Sequence, residues 1–180
     1  MSRMVALLRA VNLGPHQKVS SAQLKSFGEA LGFAQVQTLL NSGNLLFAPD
    51  AQKPEAIERR MESESAKRLK LPTDFFVRTH AELEKIVAGN PWPDAARTDP
   101  SHLVVLFFKE APTRAGLEAL RAAVVGREVL EVQGRHLYAH YRDGIGESKL
   151  TNKLIEKHLG GSCTGRNWNT VQKLLALTQT

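Results

Sequence analysis

The chain has few of the features that staple or anchor a small protein. It contains one cysteine, Cys163, in 180 residues. A lone thiol excludes an internal disulfide and fits a reducing compartment, so the default location is the cytoplasm. Long apolar runs are missing too. The first one, within Met1-Ser2-Arg3-Met4-Val5-Ala6-Leu7-Leu8-Arg9, is too short for a signal peptide or a membrane span. Aromatic residues make up 6% of the chain, and the stacking signature of an RNA-recognition sheet is not apparent. No Ser/His/Asp order and no close carboxylate pair stands out as a catalytic set. His136 and His140 lie four apart, but on a strand that spacing spans roughly 13 Å, so no metal site and no cofactor is implied.

What is present is an ordinary globular composition, with 42% hydrophobic and 23% charged residues. Such a chain can bury a core without covalent staples, as one domain or two small ones. The net charge of +6 and a pI of about 9.7 favour anionic partners, either nucleic acid or phosphate-bearing small molecules. The bases are interleaved with acids, however. Arg59, Arg60, Lys67, Arg68 and Lys70 alternate with Glu55, Glu58, Glu62 and Glu64, the pattern of a solvated helix face.

The apolar run Met4–Arg9 reads as a strand. Ser20-x-x-Gln23 forms a capping box for a helix with Leu24, Phe27 and Leu31 on one face, and Gly32 stops it. Val36–Leu40 and Leu45–Ala48 read as strands about the turn Asn41-Ser42-Gly43-Asn44. A helix runs from Pro54 to about Lys70, and Thr73–Arg78 is a fourth strand. Thr79-x-x-Glu82 is a second capping box, opening a helix that ends at Gly89. Residues 90–100, rich in proline, read as a linker.

The order then repeats. His102–Phe108 is a strand and Thr113–Ala123 a helix. Glu128–Val132 and His136–Tyr141 form a hairpin about Gly134. Ser148–Leu159 is a helix, Ser162–Arg166 a strand, and a last helix starts near Asn169. The repeat is one of element order, not of sequence. The expected architecture is α+β, two tandem ferredoxin-like βαββαβ units with antiparallel sheets, a linking helix and a C-terminal helix. The boundaries expected are 1–79, 80–100 and 101–180. The nearly unbroken apolar residues of His102–Phe108 call for cover on both sides of that strand.

Four ordered motifs carry a resemblance. They are Leu7-Leu8-Arg9-Ala10-Val11-Asn12, Asn41-Ser42-Gly43-Asn44, Asp143-Gly144-Ile145-Gly146-Glu147-Ser148-Lys149-Leu150 and Arg166-Asn167-Trp168-Asn169-Thr170. Together they closely resemble the bacterial domain of unknown function 1697 family, from the first strand to the last helix. The resemblance implies two ferredoxin-like subdomains and brings no catalytic residue with it. The usual family pattern after the first strand is Arg-Gly-Ile-Asn followed by a glycine pair. Here Ala10 replaces the first glycine and Gly14-Pro15 the pair.

Two polar clusters could carry chemistry. In a ferredoxin-like unit the end of strand 1, the strand 2–3 turn and the start of the first helix share one edge. This gathers Arg9, Asn12, Asn41, Ser42 and Asn44, whose guanidinium and amides suit an anion or a nucleobase edge. Turn chemistry alone is the competing explanation. In the second unit the loop after strand 3 and the end of strand 4 share the opposite edge, which sets Gly144, Gly146, Ser148 and Lys149 beside Arg166, Asn167, Trp168 and Asn169. A glycine loop entering a helix, with lysine in its first turn, can hold a phosphate. Gly144-x-Gly146 is not a Walker A loop. The competing explanation is helix capping by Ser148 and Asn169, with Trp168 in the core.

The function expected is binding of a phosphate-bearing ligand, nucleotide or nucleic acid. The alternatives are an enzyme on a small anionic substrate and an assembly module that uses a sheet face. No membrane partner is implied, and a homo-oligomer is compatible with the sequence.

Overall fold

The computed structural model describes residues 2–9 and 18–179. The protein is α+β, with two four-stranded antiparallel sheets and, among the described residues, seven α-helices. The chain divides into two compact units, Met1–Lys85 with Lys173–Thr180 and Ile86–Gln172.

The first unit holds β1 (Met4–Leu8), α1 (Ser21–Ala30), β2 (Gln37–Leu39), β3 (Asn44–Phe47), α2 (Pro54–Arg68) and β4 (Phe75–Thr79). The sheet order is β2-β3-β1-β4. Alternate strand residues Ala6, Leu8, Leu45, Phe47, Phe75 and Val77 meet Leu24 and Phe27 of α1 and Ile57 and Met61 of α2 in one core. Each such side chain contributes about 1.5–3 kcal/mol when fully removed from water. The capping box expected at the start of α1 is formed, with Ser20 and Gln23 each bonding the other's backbone amide. Pro54 opens α2, which ends before Leu69.

Next come α3 (His80–Ala88) and α4 (Pro93–Thr98). The second capping box also forms: Glu82 accepts from the Thr79 amide at 2.9 Å, and the Thr79 hydroxyl accepts from the Glu82 amide at 3.2 Å. The segment read as a linker contains α4, one short helix. Pro93 at its first turn is compatible with a helix rather than opposed to it.

The second unit continues with β5 (Leu103–Phe108), α5 (Arg114–Ala123), β6 (Val129–Gln133), β7 (His136–His140), α6 (Asn152–Leu159), β8 (Cys163–Asn167) and α7 (Trp168–Thr178). The division between the units runs through α3 and α7. The sheet order is β6-β7-β5-β8. On one face Val104, Leu106 and Phe108 pack with Leu117 and Leu120 of α5 and Ile155 and Leu159 of α6. Leu103, Val105 and Phe107 point the other way and are equally buried. The cover expected on both sides of this strand is therefore there. Part of it is α3: the Tyr138 hydroxyl donates to the Ile86 carbonyl at 2.6 Å.

The helix expected from Ser148 begins at Asn152 instead. Thr151 is its cap, its hydroxyl accepting from the Leu154 amide at 3.2 Å. The three residues before Thr151 are held otherwise. The Ser148 hydroxyl donates to Glu128 and accepts from the Leu150 amide, while Leu150 is buried in the core beside Tyr141. No described helix is long and apolar enough to cross a membrane.

Candidate functional site

The first polar cluster forms around the β2–β3 turn. Strand pairing sets Asn44 opposite Leu7, and the Leu8 amide donates to the Gly43 carbonyl at 2.9 Å. The turn thus lies against the end of β1. It also meets the start of α1, where the Ser21 hydroxyl donates to the Asn41 side chain at 2.8 Å. Much of the remaining polarity is spent inside the turn. The Asn44 amide donates to the Leu39 carbonyl at 2.9 Å and to the Ser42 hydroxyl at 2.8 Å, and Asn44 is fully buried. Arg9 goes to the other side of β1. Its amide donates to the Asp74 carbonyl, and its guanidinium lies 4.0 Å from the Asp74 carboxylate. There it lines a cleft of about 460 Å³ with Glu62, Leu71 and Thr73. Asn12 lies outside the described residues, as do Ala10, Gly14 and Pro15.

The second cluster divides. Arg166 stands opposite Val105 in the β5–β8 pairing, so it is on the sheet face away from α5 and α6. There its guanidinium is buried and donates to the Thr164 hydroxyl and the Gly165 carbonyl, both at 2.8 Å. Burial pushes its pKa down to about 10. The loop Asp143–Lys149 leads into α6 on the opposite face. The expected meeting of Lys149 with Arg166 is therefore corrected by strand alternation: reading only the sheet edge ignored which face each side chain takes. Asn167 caps α7, accepting from the Thr170 amide at 3.0 Å. Asn169 falls within the helix, and Trp168 is buried with its indole N–H unmatched by a described acceptor.

What the loop Asp143–Lys149 does have is a hollow of about 190 Å³, bounded on its far side by Val125, Gly126 and Glu128. Gly144 has φ of +88°, in the region that favours glycine. The Gly144 and Ser148 amides close turns onto Tyr141 and Ile145. Among the described residues, no acceptor takes the amides of Ile145, Gly146 or Glu147, and the Lys149 ammonium makes no hydrogen bond or ion pair. Asp143 is held by the Arg127 guanidinium, whose hydrogen bonds lower its pKa. Glu128 receives the Ser148 hydroxyl on one carboxylate oxygen, and its other oxygen is buried without a described partner. Lys149 precedes α6 rather than lying in its first turn as expected.

A further group was not visible along the chain. Asp99, after α4, accepts from His102 Nδ1 at 2.8 Å and from His140 Nε2 at 3.0 Å. The hydrogen bond from His140, helped by the charge of His102, lowers the Asp99 pKa against the opposing effect of desolvation. The only sequence cue was the spacing Asp99-x-x-His102; His140 is 41 residues from Asp99. Among the described residues, no group of three His, Cys, Asp or Glu side chains has the geometry to hold a metal ion.

A family model described as "Protein of unknown function (DUF1697)" matches residues 1–138. The chain belongs to this family. The matched span includes the β2–β3 turn and ends before the loop Asp143–Lys149. No curated protein matches the chain. Among solved structures, the conserved bacterial protein SP0830 from Streptococcus pneumoniae is similar over 99% of both chains, with a TM-score of 0.76 and 20% identity. At that identity the likeness concerns the fold.

Proposed function

We propose that this DUF1697 protein binds a small phosphate-bearing ligand at the loop Asp143–Lys149. The observation that carries the reading is the run of uncommitted amides Ile145–Glu147 beside the unpaired ammonium of Lys149. Successive amides in a turn make a concave anion seat, and a nearby cation adds charge without adding a competing donor geometry. The hollow of about 190 Å³ is below the 300–1,000 Å³ typical of pockets that enclose a whole drug-sized molecule, so the phosphate enters and the rest of the ligand stays outside. A nucleotide fits that arrangement.

We read each unit as a ferredoxin-like βαββαβ fold. The orders β2-β3-β1-β4 and β6-β7-β5-β8, with every pairing antiparallel, support this. An assembly role through an open sheet face has less support, because the central strands are buried on both faces.

The test is thermal unfolding with phosphate, pyrophosphate and ATP. A ligand at a hundred times its Kd adds about 2.7 kcal/mol, and each kcal/mol raises the midpoint by about 2–4 °C at this chain length. Lys149→Ala should remove most of the shift. An equal shift in wild type and Lys149→Ala would sink the assignment to this loop.

A further inference from the structure

We propose that Asp99, His102 and His140 form a proton-transfer centre, with His102 Nε2 as the base acting on a small ester held at the loop Asp143–Lys149. This uses the same loop as the anion reading but adds chemistry to it.

The argument starts from donor roles. An ionised carboxylate only accepts hydrogen bonds, so the ring nitrogens facing Asp99 must carry protons. His102 faces it through Nδ1 at 2.8 Å. A neutral imidazole protonated at Nδ1 has its basic lone pair on Nε2. No described residue binds that Nε2, and the His102 side chain is 41% exposed. It points to the loop: a Cβ built on Gly144 would lie 3.9 Å from it. The second oxygen of Asp99 is fixed by His140, whose side chain is only 14% exposed and sits at the end of β7. One carboxylate thus orients the exposed imidazole and is itself anchored by the less exposed one. His102 is the catalytic residue of the proposal; Asp99 and His140 are positioning residues.

The reaction class that fits is ester hydrolysis. Nε2 takes a proton from water as the water oxygen bonds to the ester carbon. The imidazolium, facing Asp99, returns that proton to the departing alkoxide oxygen as the carbon–oxygen bond breaks. Water and ester are consumed, acid and alcohol leave, and the centre is restored. No oxidant or metal enters.

The experiment uses the full chain and p-nitrophenyl acetate. General-base assistance is commonly 10²–10⁴-fold, so His102→Gln should lower the release of p-nitrophenolate by at least about tenfold while leaving the melting point and the Lys149-dependent phosphate shift in place. Asp99→Asn should lower the rate too, and ¹⁵N imidazole spectra should show His102 moving from the Nδ1–H form to a tautomer mixture, a change that a purely structural staple would not produce in step with rate. Wild-type turnover in His102→Gln, or a wild-type tautomer in Asp99→Asn, overturns the proposal and leaves the anion reading standing. If Asp99→Asn fails to fold, His140→Gln takes its place, with the same tautomer readout and the same two outcomes.

Discussion

Arg78 and Arg166 occupy one position in two sheets. Each is the fourth residue of its unit's last strand, one opposite Val5 and the other opposite Val105. Each guanidinium donates back to the carbonyl just before it, Val77 at 2.9 Å and Gly165 at 2.8 Å. The next residue, Thr79 or Asn167, then caps the helix that follows, and Lys85 and Lys173 fall at the same offset along α3 and α7. Over this stretch the halves share an arginine, a capping position and a lysine at the same spacing, while most residues between them differ.

The first prediction concerns Arg78. It lies 3.7 Å from Glu58, and the two side chains are 2% and 4% exposed. Glu58 also accepts from the Val77 amide at 2.8 Å, so it would stay in place if its cation were removed. Breaking a buried pair from one side costs about 3–5 kcal/mol, whereas replacing both partners costs much less. Arg78→Ala should therefore lower the urea midpoint strongly, and adding Glu58→Gln should recover part of the loss. A mild single-variant effect would show that the pair is not held out of water.

How much of this could be read from the sequence depended on how local each signal was. Both capping boxes, the turn at Asn41–Asn44 and the double cover of His102–Phe108 rest on neighbouring residues, and each is found where expected. The correspondence between halves is hard to read because it rests on an arginine, a lysine and a capping position filled by different residues, while the residues between them differ. Lys149 and Arg166 failed to meet for a different reason. Edge position follows from topology, but face follows from strand parity, and Arg166 shares Val105's parity rather than that of the helix side. Asp99 and His140 meet only through tertiary structure. Asn12 lies in the stretch from 10 to 17, outside the described residues.

The start of α6 gives a second prediction. Thr151, not Ser148, caps the helix. Thr151→Ala should cost about 1 kcal/mol, the usual loss for a hydroxyl cap, and should weaken hydrogen-exchange protection in the first turn. Ser148→Ala should leave that protection unchanged, because its hydroxyl serves Glu128 and the Leu150 amide instead. Equal loss in both variants would contradict the assignment of the cap.

The tyrosines give a third. The chain has two, Tyr138 and Tyr141, and burial pushes both up to about 12, with the Cys163 thiol and Glu128 adding to the effect at Tyr141. A phenol whose native pKa exceeds its unfolded value of about 10 keeps its proton longer in the folded state. Its stabilising effect is full below about pH 10 and is lost as pH rises through 12. Absorbance at the tyrosinate band should rise near pH 12 in native protein and near pH 10 in denaturant. Native ionisation near pH 10 would mean that at least one hydroxyl is open to water.

The loop glycines separate geometry from mere space, and they bear on the anion seat itself. Gly144 has φ of +88°, while Gly146 has no positive φ, and a Cβ there would meet nothing within 4 Å. A side chain in the left-handed region costs about 1–2 kcal/mol, so alanine at Gly144 favours a different loop path. Gly144→Ala should lower the melting point, scatter the amides of Ile145–Glu147 and weaken the phosphate-induced shift. Gly146→Ala should change neither. Measured together, the two variants test whether the loop binds through its backbone shape: if Gly144→Ala kept full phosphate response, the amide seat would be the wrong explanation and Lys149 alone would have to supply the affinity.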